Sequence, residues 1–335
     1  MGRKMSEQKI FKNVTTFKVN CPECDMCYDA AYLISRQIRT AKHLGASKSD
    51  INELEKQLKL VVKERGFETA KNQLSKEKES IHDDSKAEEI QWPAFYHVNG
   101  FAHPPTVIYT WGQPLKTKVA EWGFIPFWVK TVSEATDPRK PYNNNLNVQS
   151  ATMFEKKGFA SAAKYGRCVM LLDAYYEHHN YKSKTYPFRI YKKDNEPLYV
   201  AGIYNKNTLV DEDTGEEIVK NTIAVLTCSA NPMLAKIHNN PAMVKRTGHR
   251  MLVILDQEQI GEYLQPYPVD KGQDPADEKI FQQRILELCR PYEEEKLAFE
   301  TVRNLRQRKD MDYIGNVPEI AKGYIWDKLD YAQFE

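Results

Sequence analysis

Three of the six cysteines fall in one short run, Cys21-Pro-Glu-Cys24-Asp-Met-Cys27, with Tyr28 directly after it. Two chemistries fit this spacing. Cys-x2-Cys lets two thiolates reach one zinc ion, so Cys21, Cys24 and Cys27 read as metal ligands. The other reading starts from Met26-Cys27. A chain beginning at Cys27 carries a free amine beside its thiol, and a 1,2-aminothiol is an efficient trap for aldehydes. A zinc site has only half a signature here, because no second Cys-x2-Cys pair follows and adjacent histidines such as His178-His179 seldom ligate together.

Three further polar residues could carry chemistry, each with a plain structural alternative. Asn147 closes the Asn-rich run Asn143-Asn144-Asn145-Leu146-Asn147, which also reads as a simple turn. Glu177 follows the apolar run from Cys168 to Tyr176, so desolvation would raise its pKa toward general acid/base duty unless the strand merely surfaces there. His238 ends Asn231-Pro-Met-Leu-Ala-Lys-Ile-His238, where a histidine serves equally as a helix cap and dipole partner.

The elements that must position these groups change character along the chain. Residues 1–25 show no hydrophobic period and read as a tail or a mis-called start. A helix is expected over 29–44, with Ala30, Leu33, Ile34, Ile38 and Ala41 on one stripe. A second is expected where Asp50 and Glu53 fit a capping box and Ile51, Leu54, Leu58 and Val61 recur at helical spacing. Residues 66–89, rich in Lys, Glu, Ser and Asp, read as a mobile charged connection. From Trp92 onward short β-like runs dominate, at 97–101, 107–110, 119–124, 167–176, 186–191, 198–204, 222–228, 251–255 and 299–302. Asp194-Asn195 reads as a hairpin turn, 212–217 as a polar loop, and 151–164, 232–238 and 277–289 as helices. The expected class is α+β: a β-rich, irregular barrel-like core of mostly antiparallel strands with peripheral helices.

Composition sets outer limits. The chain has 335 residues, 41% of them hydrophobic and 28% charged, with a net charge of +2, so nucleic-acid binding would need a local basic face. Such a face is legible. Lys156, Lys157, Lys164, Arg167, Lys182, Lys184, Arg189, Lys192 and Lys193 are interleaved with Tyr175, Tyr176, Tyr181 and Tyr186, and Trp122 and Trp128 flank Gly123–Phe127. Cations for phosphates beside aromatic faces for bases suit a single strand, although a solvated face over core aromatics has the same composition. No run of about 18 apolar residues suggests a membrane span. The start lacks an apolar secretory core, and Cys168, Cys228 and Cys289 are scattered as reduced thiols would be. The expectation is a cytoplasmic protein without disulfides, metal or cofactor.

In order along the chain, Met26-Cys27-Tyr28, Glu121-Trp-Gly-Phe-Ile-Pro-Phe-Trp128, Asn147 with Phe154-Glu-Lys156, Arg167-Cys168 through Asp173-Ala-Tyr-Tyr-Glu177, Ala201-Gly-Ile-Tyr204 and Ala230–Asn239 resemble the SRAP family, the SOS response-associated peptidases. The resemblance runs from Met26 to about Val302. It implies a domain over 27–305, an extension over 1–26 and a tail over 306–335. It further implies a protein that links covalently to abasic sites in single-stranded DNA. Cys27, once N-terminal, would close a thiazolidine on the ring-opened sugar aldehyde. Asn147 would orient the terminus, Glu177 would shuttle protons, and His238 would assist as acid/base, including in reversal. Amino-terminal self-processing and lyase-like Schiff-base chemistry are implied with them. The DNA-facing set is Trp122, Trp128, Gln149, Lys156, Lys157 and Arg167. This chain departs from the pattern at Gln149 and Ala160, where the family has phosphate-gripping arginines, and at Ala151 and Ala174. The family's short histidine segment is also stretched, which makes His249 a rival to His238.

Overall fold

The computed structural model describes residues 28–64, 92–112, 114–137, 139–140, 145–268, 275–305 and 316–334. In chain order the elements begin with β1 (Asp29–Leu33), α1 (Ile34–His43), α2 (Lys48–Glu64), β2 (Ala94–Asn99), β3 (Pro105–Thr110) and β4 (Lys116–Trp122). There follow α3 (Val132–Thr136), β5 (Asn147–Gln149), α4 (Ala160–Tyr165), β6 (Arg167–Leu172), β7 (Ala174–Tyr181) and β8 (Lys184–Lys192). The rest are β9 (Leu198–Val210), β10 (Glu217–Ser229), α5 (Pro232–Ile237), α6 (Pro241–Thr247), β11 (Arg250–Leu252), β12 (Ile254–Leu255), α7 (Gln257–Leu264), α8 (Pro275–Leu288) and β13 (Leu297–Thr301).

The strand order β10-β4-β3-β6-β9, together with direct β9–β10 pairing, closes a barrel. Only β4–β10 within that ring is parallel; the other pairs are antiparallel. A second sheet, β13-β8-β7-β1-β2, is antiparallel throughout. The α+β, barrel-like class expected from the strand spacing is what the chain forms. Every residue of β6 is buried, as the apolar run Cys168–Leu172 requires of a strand covered on both faces.

β6 leaves the barrel at Asp173 and continues as β7 of the second sheet. Asp173 fixes this crossing point. Its carboxylate accepts the Leu33 amide (2.9 Å) and pairs with Arg36, while its own amide donates to the Ala31 carbonyl. Burial pushes the Asp173 carboxyl up, against the pull of Arg36.

Four local expectations are corrected. Residues 29–33 are a strand rather than the first turns of a helix: Ala30 pairs with both Val98 and Tyr175, and two-sided pairing overrides the helical stripe. The box that starts α2 lies one turn earlier, with Asp50 bonded to Ser47 through its amide and its carboxylate. Residues 151–164 are mostly turns, with a helix only at α4. Asn195 does turn the chain in the left-handed region (φ 59°), but it links β8 and β9 of different sheets and closes no hairpin. The expected connection over 66–89 lies outside the described residues. Residues 316–334, read as part of a tail, pack on the second sheet with Ile320 and Leu329 buried.

One glycine is obligatory. Gly123, at φ 142°, follows Trp122, whose carbonyl receives the His103 Nδ1–H (2.8 Å). A Cβ on Gly123 would lie 2.0 Å from that ring nitrogen. Gly123→Ala is therefore expected to destabilise the fold by about 3 kcal/mol or more, read as a lowered denaturation midpoint at unchanged slope.

Candidate functional site

Tyr28 is the first described residue, and Cys27 is joined to it by one peptide bond; Cys21, Cys24 and Cys27 themselves lie outside the described residues. The Tyr28 carbonyl accepts the Gly100 amide (2.7 Å), and its ring rests against Phe101 (5.4 Å) and His178 (6.4 Å, planes 20° apart). β1 meets β7 in the register Asp29↔Tyr176. One step further along that register lies Tyr28 opposite Glu177.

Glu177 sits in the middle of β7, opposite Phe188 of β8, and only 3% of it is exposed. Strand alternation puts Tyr175, Glu177 and His179 on one face and Tyr176 and His178 on the other. The two adjacent histidines therefore point apart and cannot share a metal ion. Among the described residues no three His, Cys, Asp or Glu side chains are placed to hold one.

His238 follows α5. That helix begins with Asn231, whose side chain accepts the Leu234 amide, and with Pro232, whose missing N–H costs nothing in the first turn. Fastenings to β7 lie on both sides of His238. The His179 ring faces the Lys236 and Ile237 carbonyls (3.1 and 3.2 Å), and Asn239 exchanges two hydrogen bonds with the Asn180 backbone. His238 is 3% exposed, and neither ring nitrogen finds a hydrogen-bond partner among the described residues. Burial, reinforced by His249, Arg250 and His178, lowers its pKa to about 4. The rival His249 is half-buried and donates from Nδ1 to the His238 carbonyl (2.8 Å), so its ring supports the backbone of His238.

Asn147 opens β5 opposite Val225 of β10 and is buried. The preceding Leu146 carbonyl accepts the Trp122 indole N–H (2.9 Å), and Leu146 crowds Gly100, the donor to Tyr28. Glu177 and His238 are thus tied through β7, and Asn147 through Leu146 and Gly100, to the backbone that leads out of Cys27.

The expected DNA face divides. Trp122 and Arg167 are corrected to structural roles. Trp122 is 1% exposed, and its N–H is spent on Leu146. Arg167 is buried, with its guanidinium donating to the carbonyls of Ala163, Lys164, Tyr263 and Gln265. Desolvation of that charge is offset by these four acceptors, which take four of its five N–H donors and hold the guanidinium away from solvent phosphate. Trp128 remains exposed beside Phe127 (5.2 Å, edge-on) and lies over Gly158, next to Lys156 and Lys157. Gln149, at the end of β5, is half-buried, and Ala160 starts α4. Cys168, Cys228 and Cys289 are buried free thiols, and burial pushes Cys228 and Cys289 up to about 12.

Sequence reasoning assigned no role to Tyr28, His179 or Asn239. The Asn239–Asn180 pair spans 59 residues, and no local pattern carries such a contact.

Comparison with known proteins adds three findings. The family model described as SOS response associated peptidase (SRAP) matches residues 65–306. Two abasic site processing proteins are similar over shorter stretches. YMR114C of Saccharomyces cerevisiae is 31% identical over 25% of this chain and 22% of its own length. HMCES of Rattus norvegicus is 37% identical over 30% of this chain and 25% of its own. The matched stretches thus span about a quarter of these relatives. A solved structure of a protein from Bacteroides thetaiotaomicron superposes with a TM-score of 0.53 at 30% identity, over 69% of this chain and 85% of that one.

Proposed function

The chain belongs to the SRAP family, and from that membership we propose that it processes abasic sites in DNA by forming a covalent link through Cys27. The observation that supports this reading is His238. It is a buried histidine whose two ring nitrogens have no hydrogen-bond partner among the described residues, strapped at the end of α5 to the strand carrying Glu177, beside the strand that follows Cys27. A buried carboxylate and a buried histidine fastened to the strand that pairs with β1, which follows a candidate 1,2-aminothiol in sequence, suit aldehyde chemistry.

Hydrolysis of the Met26–Cys27 peptide bond consumes one water, leaves a carboxylate on Met26 and releases the Cys27 α-amine. That amine attacks C1 of the ring-opened sugar, and Glu177 moves protons so that the hydroxyl leaves as water and an imine forms. The Cys27 sulfur then adds to the imine carbon as the thiol proton passes to nitrogen, closing a five-membered thiazolidine. Asn147 orients the amine, and neutral His238 accepts or returns a proton, including when the ring reopens. Self-cleavage would give the same Cys27 terminus as removal of a leading methionine from a chain started at Met26.

Single-stranded substrate is the form we propose. Phe127 and Trp128 offer exposed ring faces, Lys156 and Lys157 offer charge, and Gln149 adds a polar contact. Trp128→Ala is expected to weaken binding to single strands by about 1–3 kcal/mol. Lys156→Ala/Lys157→Ala should reduce the slope of log affinity against log salt by roughly 0.7 per lost phosphate contact. Fluorescence anisotropy over a salt series measures both.

The test of the function is an abasic single-stranded oligonucleotide incubated with the chain beginning at Cys27. An adduct that survives denaturing gel electrophoresis, with the mass of protein plus DNA minus one water, is expected. Binding without any adduct would instead support a non-catalytic single-strand-binding protein. No helix of the described residues is long and apolar enough to cross a membrane.

A further inference from the structure

We propose that residues 316–334 are a working part of the site, and that His179 is the positioning residue through which their packing fixes His238. This inference rests on the acid/base reading of His238 given above.

His179 lies two residues beyond Glu177 on β7, on the same face, and is 2% exposed. Its Nδ1 faces the carbonyls of Lys236 and Ile237, the last two of α5. Those are helix-end acceptors that no intrahelical amide can satisfy, so a proton on Nδ1 shared between them closes the end of the helix. One residue later comes His238.

The opposite edge of the His179 ring is covered mainly by aromatic rings. The rings of Phe188 and Phe334 stand edge-on at 5.8 and 5.0 Å, and Gln333, the neighbour of Phe334 in the same segment, brings its side-chain amide to the ring. Burial lowers the His179 pKa and outweighs the opposing pull of the Ile237 and Lys236 carbonyls and of Gln333, which favours the neutral ring. A neutral imidazole with its proton on Nδ1 is the species that can hold the two carbonyls.

Phe334 reaches that position because the segment before it is tied down. The Tyr324 amide donates to the Thr301 carbonyl (2.7 Å), and Trp326 Nε1 donates to the Val302 carbonyl (3.0 Å). The Tyr331 hydroxyl accepts the Trp326 amide (2.9 Å) and shares a hydrogen bond with Thr301 Oγ1 (2.9 Å). Phe334 then packs on Phe188 (4.9 Å) and Phe299 (5.8 Å), so it caps β8 and β13 as well as His179. With Asn239 clamped to Asn180 on the far side, His238 is held at both neighbours, and the nearer hold depends on the C-terminal segment.

The groups that act on the His238 ring are His178 from β7, His249, and Arg250 from β11, all basic, and burial is the largest cause of its low pKa. Freeing the end of α5 hydrates His238, and its pKa then rises toward the ordinary histidine value of about 6.5.

The experiment follows the His238 titration by NMR in the full chain with 13C-labelled histidine rings, assigned through His238→Gln, and pairs it with the adduct rate of the Cys27-initiated form. His179→Phe keeps the ring shape and removes the donor; His179→Asn restores an N–H at the place of Nδ1; Phe334→Ala removes the cap. His179→Phe is expected to raise the His238 midpoint by a unit or more and to slow adduct formation about tenfold. Phe334→Ala should move both in the same direction by less, and His179→Asn should return both toward wild type. An unmoved midpoint in folded His179→Phe or Phe334→Ala would overturn the proposal, as would His179→Asn shifting as far as His179→Phe. Should His179→Phe fail to fold, the Phe334→Ala and His179→Asn titrations decide alone. Midpoints that move as stated in a protein that forms no adduct would keep the positioning role and refute the abasic-site function.

Discussion

Cys27→Ala, in a chain that begins at residue 27, is expected to abolish the stable adduct with abasic DNA while leaving a transient one. The substitution keeps the α-amine and removes only the sulfur. Imine formation therefore survives, and closure of the thiazolidine does not. Borohydride, which reduces an imine to a secondary amine, should still trap the variant on DNA; without the reductant the imine either hydrolyses or lets the strand break by β-elimination. Wild type should show the reverse pattern, an adduct insensitive to borohydride and little strand breakage. Acetylating the α-amine of wild type is the complementary test, since it leaves the thiol and blocks the first bond. Loss of both the stable and the trappable adduct is expected. If Cys27→Ala forms the stable adduct as wild type does, the link is not made through this aminothiol. Equal borohydride trapping of acetylated and free-amine protein would place the reacting amine elsewhere.

That prediction concerns a residue whose chemistry is legible in sequence and whose surroundings are not. The barrel strands could be read because burial on both faces forces unbroken apolar runs such as Cys168–Leu172, and because turn residues separate them. The short strand Asp29–Leu33 could not be read that way. Its apolar positions also fit a helix, and what decides is pairing with Ala94–Asn99 and Ala174–Tyr181, far along the chain. Residue type misleads in the same way. Trp122 and Arg167 have the composition of a DNA-binding face, yet one fills the core beside Gly100 and the other satisfies four buried carbonyls. A side chain that stacks on a base and one that packs on a glycine are the same side chain. Only the third dimension separates Trp122 from Trp128. The C-terminal segment was hidden for another reason: its anchors, Trp326, Tyr331 and Phe334, are few and follow no period, so nothing local marks them as packed.

The depressed pKa of His238 gives the second large effect, and its sign can be worked through in two independent measurements. With a pKa near 4, His238 is neutral throughout the range from pH 6 to 8 and is ready to accept a proton. His238→Gln keeps a polar side chain of similar reach but cannot take up that proton. Loss of a positioned acid/base group slows the step it serves by about 10²–10⁴. The largest effect is expected on reopening of the thiazolidine, measured as exchange of the linked protein from DNA to a competing abasic strand. For stability, the unfolded chain binds a proton at His238 near pH 6.5 and the folded chain does not bind it until near pH 4. Between those values the unfolded state carries more protons, so folding is weakened as pH falls. The contribution is fully present above about pH 6.5 and is lost as pH drops through the folded value. It amounts to about 3 kcal/mol at 1.36 kcal/mol per unit. His238→Gln removes this liability. Between pH 7 and pH 4 its unfolding free energy should fall by about 3 kcal/mol less than that of wild type, even though its chemistry is slower at every pH. A variant that loses rate without gaining this acid resistance would show that His238 is not the buried neutral base, and His249 would then be next to test. A rate loss of about 10²–10⁴ together with greater acid tolerance, from one substitution, joins the proton-accepting role to the buried neutral ring.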